Sequence, residues 1–400
     1  MPPHVAAARD PATTPVVAAC CRTATGRSHP DRGLFRHVRG DELAAAVVRA
    51  VVDRSGVDPA TIDDVLVGTT QQRGELGGNV ARTVALMAGL PLTAAAATVN
   101  RLCGSSLQTL AQACHAIAAG AADVQVVAGV EHMHHLPMEA AIDIHPAALA
   151  RTSRGMLSMG LTAEQLAAAH GISRRRQEEY ALASHRKAAA AAAAGLFAAE
   201  LVEMVGHDEA GGLCAARRDQ SIRDDTSLEA MAALEPAFVP KVGTITAATS
   251  APLSDGAAAL LVMSEAEARR QGIAPLARVP STAVVGVPPA AMGTGPIAAT
   301  QKLFARCAGR GPTLADVGLV ELNEAFAAQA IHCIDELGID PARVNARGGS
   351  LAIGHPLGAS GARITTTLLH AMQTGGVPLG LATMCIGMGQ GIAVLFERPE

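Results

Sequence analysis

The chain has no tryptophan, one tyrosine (Tyr180) and six phenylalanines, so aromatic side chains make up only 2% of its 400 residues. That scarcity argues against the stacking platforms on which proteins hold single-stranded nucleic acid. Lysine is equally rare: Lys187, Lys241 and Lys302 are the only three, which leaves little room for Schiff-base or phosphate-loop chemistry. Charge of one sign is lacking as well, with 32 basic against 36 acidic side chains and a net charge of −4. Neither DNA nor an anionic membrane finds an electrostatic footprint here. The eight cysteines are irregularly spaced and include no C-x-x-C pair, too few for a disulfide scaffold and wrongly placed for a structural zinc site. Residues 1–14 are rich in Pro and Ala without an apolar core segment, and read as a disordered tail. Ile364 to Phe396 carries no Asp, Glu, Lys or Arg. Its glycines and Pro378 nevertheless break any apolar helix of the roughly 20 residues that a membrane span needs. A soluble, cytoplasmic protein is expected.

What is present is an alternation of short apolar runs and longer helical patterns. Val65 to Val67, Val124 to Val130, Leu260 to Met263, Val317 to Leu322 and Ile392 to Phe396 read as buried strands. Ser264 with Glu267 and Thr162 with Gln165 read as helix-opening capping boxes, ended by Gly272 and Gly171. The alternation predicts an α/β fold with a largely parallel sheet covered on both faces. The segment 131–245 departs from it, being rich in His, Arg and Ala and including one helix expected from Ser173 to Gly195. It reads as a helical insertion, a lid or loop domain. The stretches 63–67 and 100–130 are echoed weakly by 316–337 and 345–372, which suggests a duplicated half. The division expected is therefore 15–130 plus about 246–272, the insertion 131–245, and 273–400.

Four features carry chemistry. Cys103, in Asn100-Arg101-Leu102-Cys103-Gly104-Ser105-Ser106, sits just before a helix with apolar positions Leu107, Leu110, Cys114 and Ile117. Open N–H groups there should lower a thiol pKa, making Cys103 a candidate nucleophile, although a buried turn cysteine is the blander account. His355 lies in a segment, 348–361, with five glycines, and is followed by Pro356; a rigid loop presents it as a general base would be presented. Cys385 precedes Gly387, Gly389 and Gly391, which lead into a strand and so fail the context test for dinucleotide binding. Asn323 opens Asn323-Glu324-Ala325-Phe326 before a helix, where an N-cap is the plain reading. Jointly, a cysteine at a helix start, a loop histidine, a second loop cysteine and an asparagine make a nucleophile, its base, a separate acid/base and an oxyanion helper.

These motifs, NRLCGSS, NEAFAAQ, GGSLAIGHPLGASGAR and CIGMGQG in this order, resemble the thiolase family from about Pro15 to Pro399. GVEHM and MGLTAE look most like the bacterial degradative 3-ketoacyl-CoA branch. The resemblance implies two duplicated α/β halves in a five-layered αβαβα arrangement, with a helical loop domain inserted in the first. It implies ping-pong thiolysis of a 3-ketoacyl-CoA in β-oxidation. Cys103 would be the acylated nucleophile, His355 its base, and Cys385 the acid/base for the departing acetyl-CoA carbanion and the incoming CoA. Asn323 would hold a water that, with His355, forms one oxyanion hole; the N–H groups of Cys103 and Gly387 would form the other. Arg223 and Met159 would contact CoA, and Phe326 would lie near the acyl-thioester. No cofactor beyond the CoA and acyl-CoA substrates is implied. Partners expected are a second copy, as homodimer or homotetramer, and a hydratase/dehydrogenase subunit of a β-oxidation complex.

Departures temper this. Ala251 stands where many thiolases place a serine on the pantetheine arm, and Pro252 follows it; one lost neutral hydrogen bond should cost about 0.5–1.5 kcal/mol, roughly a factor of 2–13 in CoA affinity. Ser158 stands where biosynthetic members usually carry His, and Ala128 replaces a usual glycine. Acetyl-CoA C-acetyltransferase activity and a non-catalytic carrier or assembly subunit are the competing readings. His132, His134 and His135 cluster near Met133; a polar loop by the site mouth is the expectation, and no metal is required by the chemistry. Arg174, Arg175, Arg176, Arg186 and Lys187 give either a partner surface or a solvated charged helix.

Overall fold

The computed structural model describes residues 10–138, 143–309 and 311–399. Chain order begins β1 (Pro15–Arg22), β2 (Gly26–Arg27), α1 (Gly40–Ser55), β3 (Asp64–Gly68), α2 (Val80–Met87), β4 (Ala95–Val99), α3 (Ser105–Ala118) and β5 (Val124–His132). A mostly helical stretch follows: α4 (Pro146–Leu149), α5 (Met159–Ala169), α6 (Arg174–Ala193), the hairpin β6 (Val205–His207) and β7 (Leu213–Ala215), and α7 (Leu228–Ala232). The chain then returns through β8 (Ser254–Ser264), α8 (Glu265–Gln271), β9 (Ala277–Gly286), α9 (Gly295–Cys307), β10 (Leu319–Leu322) and α10 (Ala327–Leu337). It ends with α11 (Ser350–Ile353), α12 (Ser360–Gly375), β11 (Leu379–Ile386) and β12 (Gln390–Glu397).

Ten strands form one sheet, nine of them in the path β10-β11-β12-β9-β1-β8-β5-β3-β4 and the tenth, β2, paired on β8. Its two halves meet at a short joint where Val16 and Val17 face Arg278 and Ala277. Period-two alternation explains the layers. On β3 and β5, Val65, Val67 and Val126 pack outward under Val47 and Val51 of α1 and Val84 of α2. Leu66 and Val127 point inward to Leu107, Leu110 and Ile117 of α3. On the other half, Met384 and Val394 point inward to Leu368 and Met372 of α12, and Leu381 and Leu395 outward to Leu303 of α9 and Ile334 of α10. Helix pair, half-sheet, central pair α3/α12, half-sheet, helix pair is the αβαβα order.

Several local expectations need correction. The sheet is mixed: β3 pairs parallel with β4 and β5, and β10 with β11, whereas β8, β9 and β12 run antiparallel to their neighbours. Apolar runs alone do not reveal strand direction. Of the expected tail, residues 1–9 lie outside the described residues; Asp10 to Thr14 form an anchored turn, Thr14 Oγ1 donating to the Asp10 carbonyl at 2.8 Å and the Glu265 N–H to the Thr14 carbonyl at 2.9 Å. Thr162 caps nothing: it lies inside α5, its hydroxyl bonded back to the Met159 carbonyl at 2.8 Å, and Ser158 is the capping position. Ser264 does accept the Glu267 N–H, and Gly272 closes α8 in the left-handed region. No helix among the described residues is long and apolar enough to cross a membrane. The basic face of α6 is paired within the chain, Arg174 to Glu178 at 2.8 Å, Arg175 to Glu179 at 2.7 Å and Arg176 to Asp335 at 2.7 Å.

Candidate active site

β4 delivers the chain to Cys103, two residues ahead of α3. Leu102 is held at φ 46°, a left-handed conformation that costs a branched side chain about 1–2 kcal/mol. Three hydrogen bonds fasten it: Asn100 Oδ1 accepts the Leu102 N–H at 2.8 Å, and Ser105 Oγ accepts the Arg101 N–H at 2.9 Å while donating to the Leu102 carbonyl at 2.6 Å. The turn folds Cys103 inward, 5% exposed. Burial pushes its thiol up to about 11, against the opposing pull of the Gly387 N–H and its own N–H. The lowered pKa expected from the helix start is therefore overturned; dehydration outweighs the open N–H groups.

His355 is buried before α12. Its Nδ1 lies 2.6 Å from Ser360 Oγ, and that hydroxyl donates its single proton to the Pro356 carbonyl at 2.8 Å. Nδ1 must therefore carry the hydrogen, which leaves Nε2 as a lone pair. Burial, with Arg363 behind it, pushes the imidazole down to about 3, so the ring is neutral. Nε2 faces the Asn323 amide nitrogen at 3.4 Å. Asn323 is oriented in turn: Arg363 Nη2 donates to Ser350 Oγ at 2.5 Å, and Ser350 Oγ donates to Asn323 Oδ1 at 2.6 Å. Asn323 does not cap α10, which begins at Ala327 with Phe326 at the cap position.

Cys385 lies near the end of β11, and the bend that follows carries Met388 at φ 62° and Gly389 at φ 82°. Burial raises the Cys385 thiol, and Cys103 raises it further. A side chain at Gly387 would sit 3.3 Å from Leu102 Cδ1 and 3.7 Å from Met159 Sδ, so the Cys103 turn, the glycine bend and the start of α5 converge. Met159, Phe326 and Cys385 share one apolar cluster.

The Cys103 and His355 loops are brought together by their helices. Ser106 Oγ in the first turn of α3 accepts the Ala362 N–H of α12 at 2.9 Å. Glycine is required at the crossing with β5, because a Cβ on Gly129 would lie 2.3 Å from the Gly358 carbonyl oxygen. Glu131, fully buried, accepts the N–H groups of Thr70, Gln71 and Gly358 at 3.0, 3.2 and 2.9 Å, tying that loop to the strand.

Arg223 stands elsewhere, in the wall of a cavity of about 270 Å³ with Arg27, His185, Met231, Pro252 and Leu351. Leu351 belongs to the same glycine-rich segment as His355. Burial lowers the Arg27 guanidinium and Arg223, in the same cavity wall, lowers it further. Ala251 donates its N–H to the Ala325 carbonyl at 3.0 Å.

The family model for the thiolase N-terminal domain matches residues 15–266, and that for the C-terminal domain matches residues 273–398. The chain belongs to the thiolase family. It is 49% identical over 387 residues to a 3-ketoacyl-CoA thiolase of Shewanella denitrificans, covering 96% of this chain and 99% of that one. It is 50% identical over 388 residues to a 3-ketoacyl-CoA thiolase of Aliivibrio fischeri, with the same coverage. A crystal structure of the Bacillus anthracis acetyl-CoA acetyltransferase matches with a TM-score of 0.87 at 34% identity, covering 96% of this chain and 99% of that one.

Around these loops and in the Arg223 cavity, the structure adds Ser360, Ser350, Arg363, Glu131 and Arg27, which sequence reasoning did not single out as site residues. Of these, Ser350, Ser360 and Arg363 fall inside the glycine-rich segment or just after it, but no spacing marks which serine meets a histidine. The histidine cluster is also re-placed. His132 ends β5, fully buried, and is no part of a polar loop at the mouth; its Nε2 meets the Phe35 carbonyl at 3.1 Å and its Nδ1 accepts the His135 N–H at 3.1 Å. Burial pushes it down to about 4.

Proposed function

We propose that this thiolase cleaves a 3-ketoacyl-CoA with CoA to give acetyl-CoA and a shortened acyl-CoA, through an acyl-Cys103 intermediate. The observation that carries the reading is the convergence of the Cys103 turn with the bend after Cys385, where a Cβ on Gly387 would lie 3.3 Å from Leu102 Cδ1, both cysteines being buried. His355 Nε2 takes the Cys103 proton as sulfur attacks the 3-keto carbon. The C2–C3 bond then breaks, its electron pair leaving on the acetyl-CoA enolate, and Cys385 gives that carbon a proton. The Cys385 thiolate next takes the proton of incoming CoA, whose sulfur attacks the acyl-thioester and frees Cys103, which recovers the proton held by His355. Asn323, with His355, would steady one oxyanion and the N–H groups of Cys103 and Gly387 the other, in a site dry enough to make such dipoles count.

CoA is assigned to the Arg223 cavity, whose paired guanidiniums suit phosphate and whose Met231 and Leu351 suit the pantetheine chain. Met159 and Phe326 are assigned to the acyl-thioester end. Cytoplasmic location, a homo-oligomer and a hydratase/dehydrogenase partner remain part of the proposal; the paired charges of α6 give the partner no added support. Native mass measurement of the protein from its own cells tests the assembly. The reaction is tested by following the ultraviolet enolate band of 3-ketooctanoyl-CoA. CoA-dependent loss of the band with wild type and none with Cys103→Ser supports the reading; no loss with wild type ends it.

A further inference from the structure

Away from the active site, three side chains with metal-ligating atoms converge where α5 meets α10. His332 and Glu336 are four residues apart on α10 and so share one helix face. His170, the residue that closes α5, lays its ring against His332 with centroids 3.8 Å apart. One ligand atom from each of the three lies within 4.8 Å of the others. Among the described residues, none of the three side chains has a hydrogen-bonding partner outside the group, although His332 is buried. We propose that His170, His332 and Glu336 form a site for a divalent late first-row transition metal of the Zn²⁺ type, which clamps α5 to α10.

Two imidazoles and one carboxylate are the donor set that such a cation favours, with a fourth position left for water. Metal–ligand bonds of about 2.0–2.2 Å place tetrahedral ligand atoms roughly 3.3 Å apart, so closure requires movement of at most about 1.5 Å. His170 and Glu336 are exposed and free to make it. The other group of similar composition, Glu75, His132 and His135, is differently disposed: each histidine there has both ring nitrogens engaged, His135 with Glu75 and the Arg36 carbonyl at 3.0 Å each. That group is a hydrogen-bonded core network. The α5–α10 group lacks competing partners, and its two helices carry walls of the active site, Met159 at the start of α5 and Phe326 just before α10.

The test is titration of the full-length, EDTA-dialysed chain with Co²⁺, followed by visible absorption, and with Zn²⁺, followed by thermal unfolding. The expectation is a single-equivalent visible band without the near-ultraviolet sulfur charge-transfer that binding at Cys103 or Cys385 would give. Cys103→Ser keeps the band. His170→Ala and Glu336→Gln, both at exposed positions, fold normally, weaken Co²⁺ binding by roughly tenfold or more, and lose the Zn²⁺-induced rise in melting temperature. Equal Co²⁺ affinity and an unchanged band in His170→Ala and Glu336→Gln would overturn the site, as would no binding by wild type.

Discussion

Ser360 Oγ sits 2.6 Å from His355 Nδ1 and passes its own proton to the Pro356 carbonyl, so it acts toward the histidine only as an acceptor. That single relationship chooses the tautomer and aims the basic nitrogen at Asn323. Ser360→Ala removes the choice. Acylation by 3-ketoacyl-CoA in a single turnover should slow by roughly 10–100-fold, the worth of a hydrogen bond to a group that becomes charged, while the melting temperature changes little. An unchanged acylation rate would show that the tautomer is held by something else.

Ser350 relays Arg363 to Asn323. In Ser350→Ala the amide oxygen of Asn323 loses its donor and Arg363 loses a partner, so Asn323 can turn its oxygen toward His355. The expected loss in kcat is about tenfold or more, smaller than the roughly 10²–10³-fold loss expected for Asn323→Ala, which removes the amide on which the proposed oxyanion hole depends. Ser350→Thr should restore part of the rate. A Ser350→Ala enzyme slower than Asn323→Ala would mean that the serine matters for the fold and not for aiming the amide.

The resting pair is neutral, Cys103 pushed up to about 11 and His355 down to about 3. Alkylation of Cys103 by iodoacetamide should therefore climb steadily with pH above neutrality, with no step near 6.5. A plateau reached by neutral pH would reveal a preformed thiolate–imidazolium pair and contradict this description. For stability the sign is that of a depressed folded pKa: the contribution is full above the unfolded value of 6.5 and is lost as pH falls toward about 3. His132 and His185, both pushed down to about 4, act in the same direction. Asp255, raised by burial to about 6, and Glu321, raised by burial to about 8, act in the opposite direction, so the readout is a difference: between pH 6.5 and 3 the urea midpoint of His355→Gln should fall less than that of wild type, and an identical slope in the variant would refute the assignment.

Glycines, a proline and helix starts mark the positions of Cys103 and His355 locally in the sequence. The direction of the Cys103 shift is not marked there, since burial beneath the Gly387 bend is made by segments nearly 300 residues apart. The roles of Ser360, Ser350 and Arg363 depend on which hydroxyl meets which acceptor across packed helices. Asn323 looked like a cap because it precedes a helix; its side chain is instead claimed by Ser350 and His355. The five layers are implied by the family resemblance and not by any one run of residues, whereas strand direction depends on distant pairings such as β1 with β8.

In the Arg223 cavity, Arg223→Ala should raise KM for CoA several-fold with a smaller effect on kcat, and the difference from wild type should shrink at high salt. Ala251→Ser should tighten CoA binding by no more than a factor of roughly 2–13 if its hydroxyl finds the pantetheine arm. A KM unaffected by Arg223→Ala would move CoA out of this cavity. EDTA dialysis should leave thiolysis at its full rate, because no proposed step uses a Lewis acid.

The most direct test is rapid quench of the wild-type chain with 3-ketooctanoyl-CoA in the absence of CoA, followed by peptide mass mapping. The account predicts one hexanoyl group per chain, on the peptide containing Cys103, formed together with an equal amount of acetyl-CoA and discharged on adding CoA. Acetyl-CoA released without an adduct, or an adduct on Cys385 or any other residue, would contradict it.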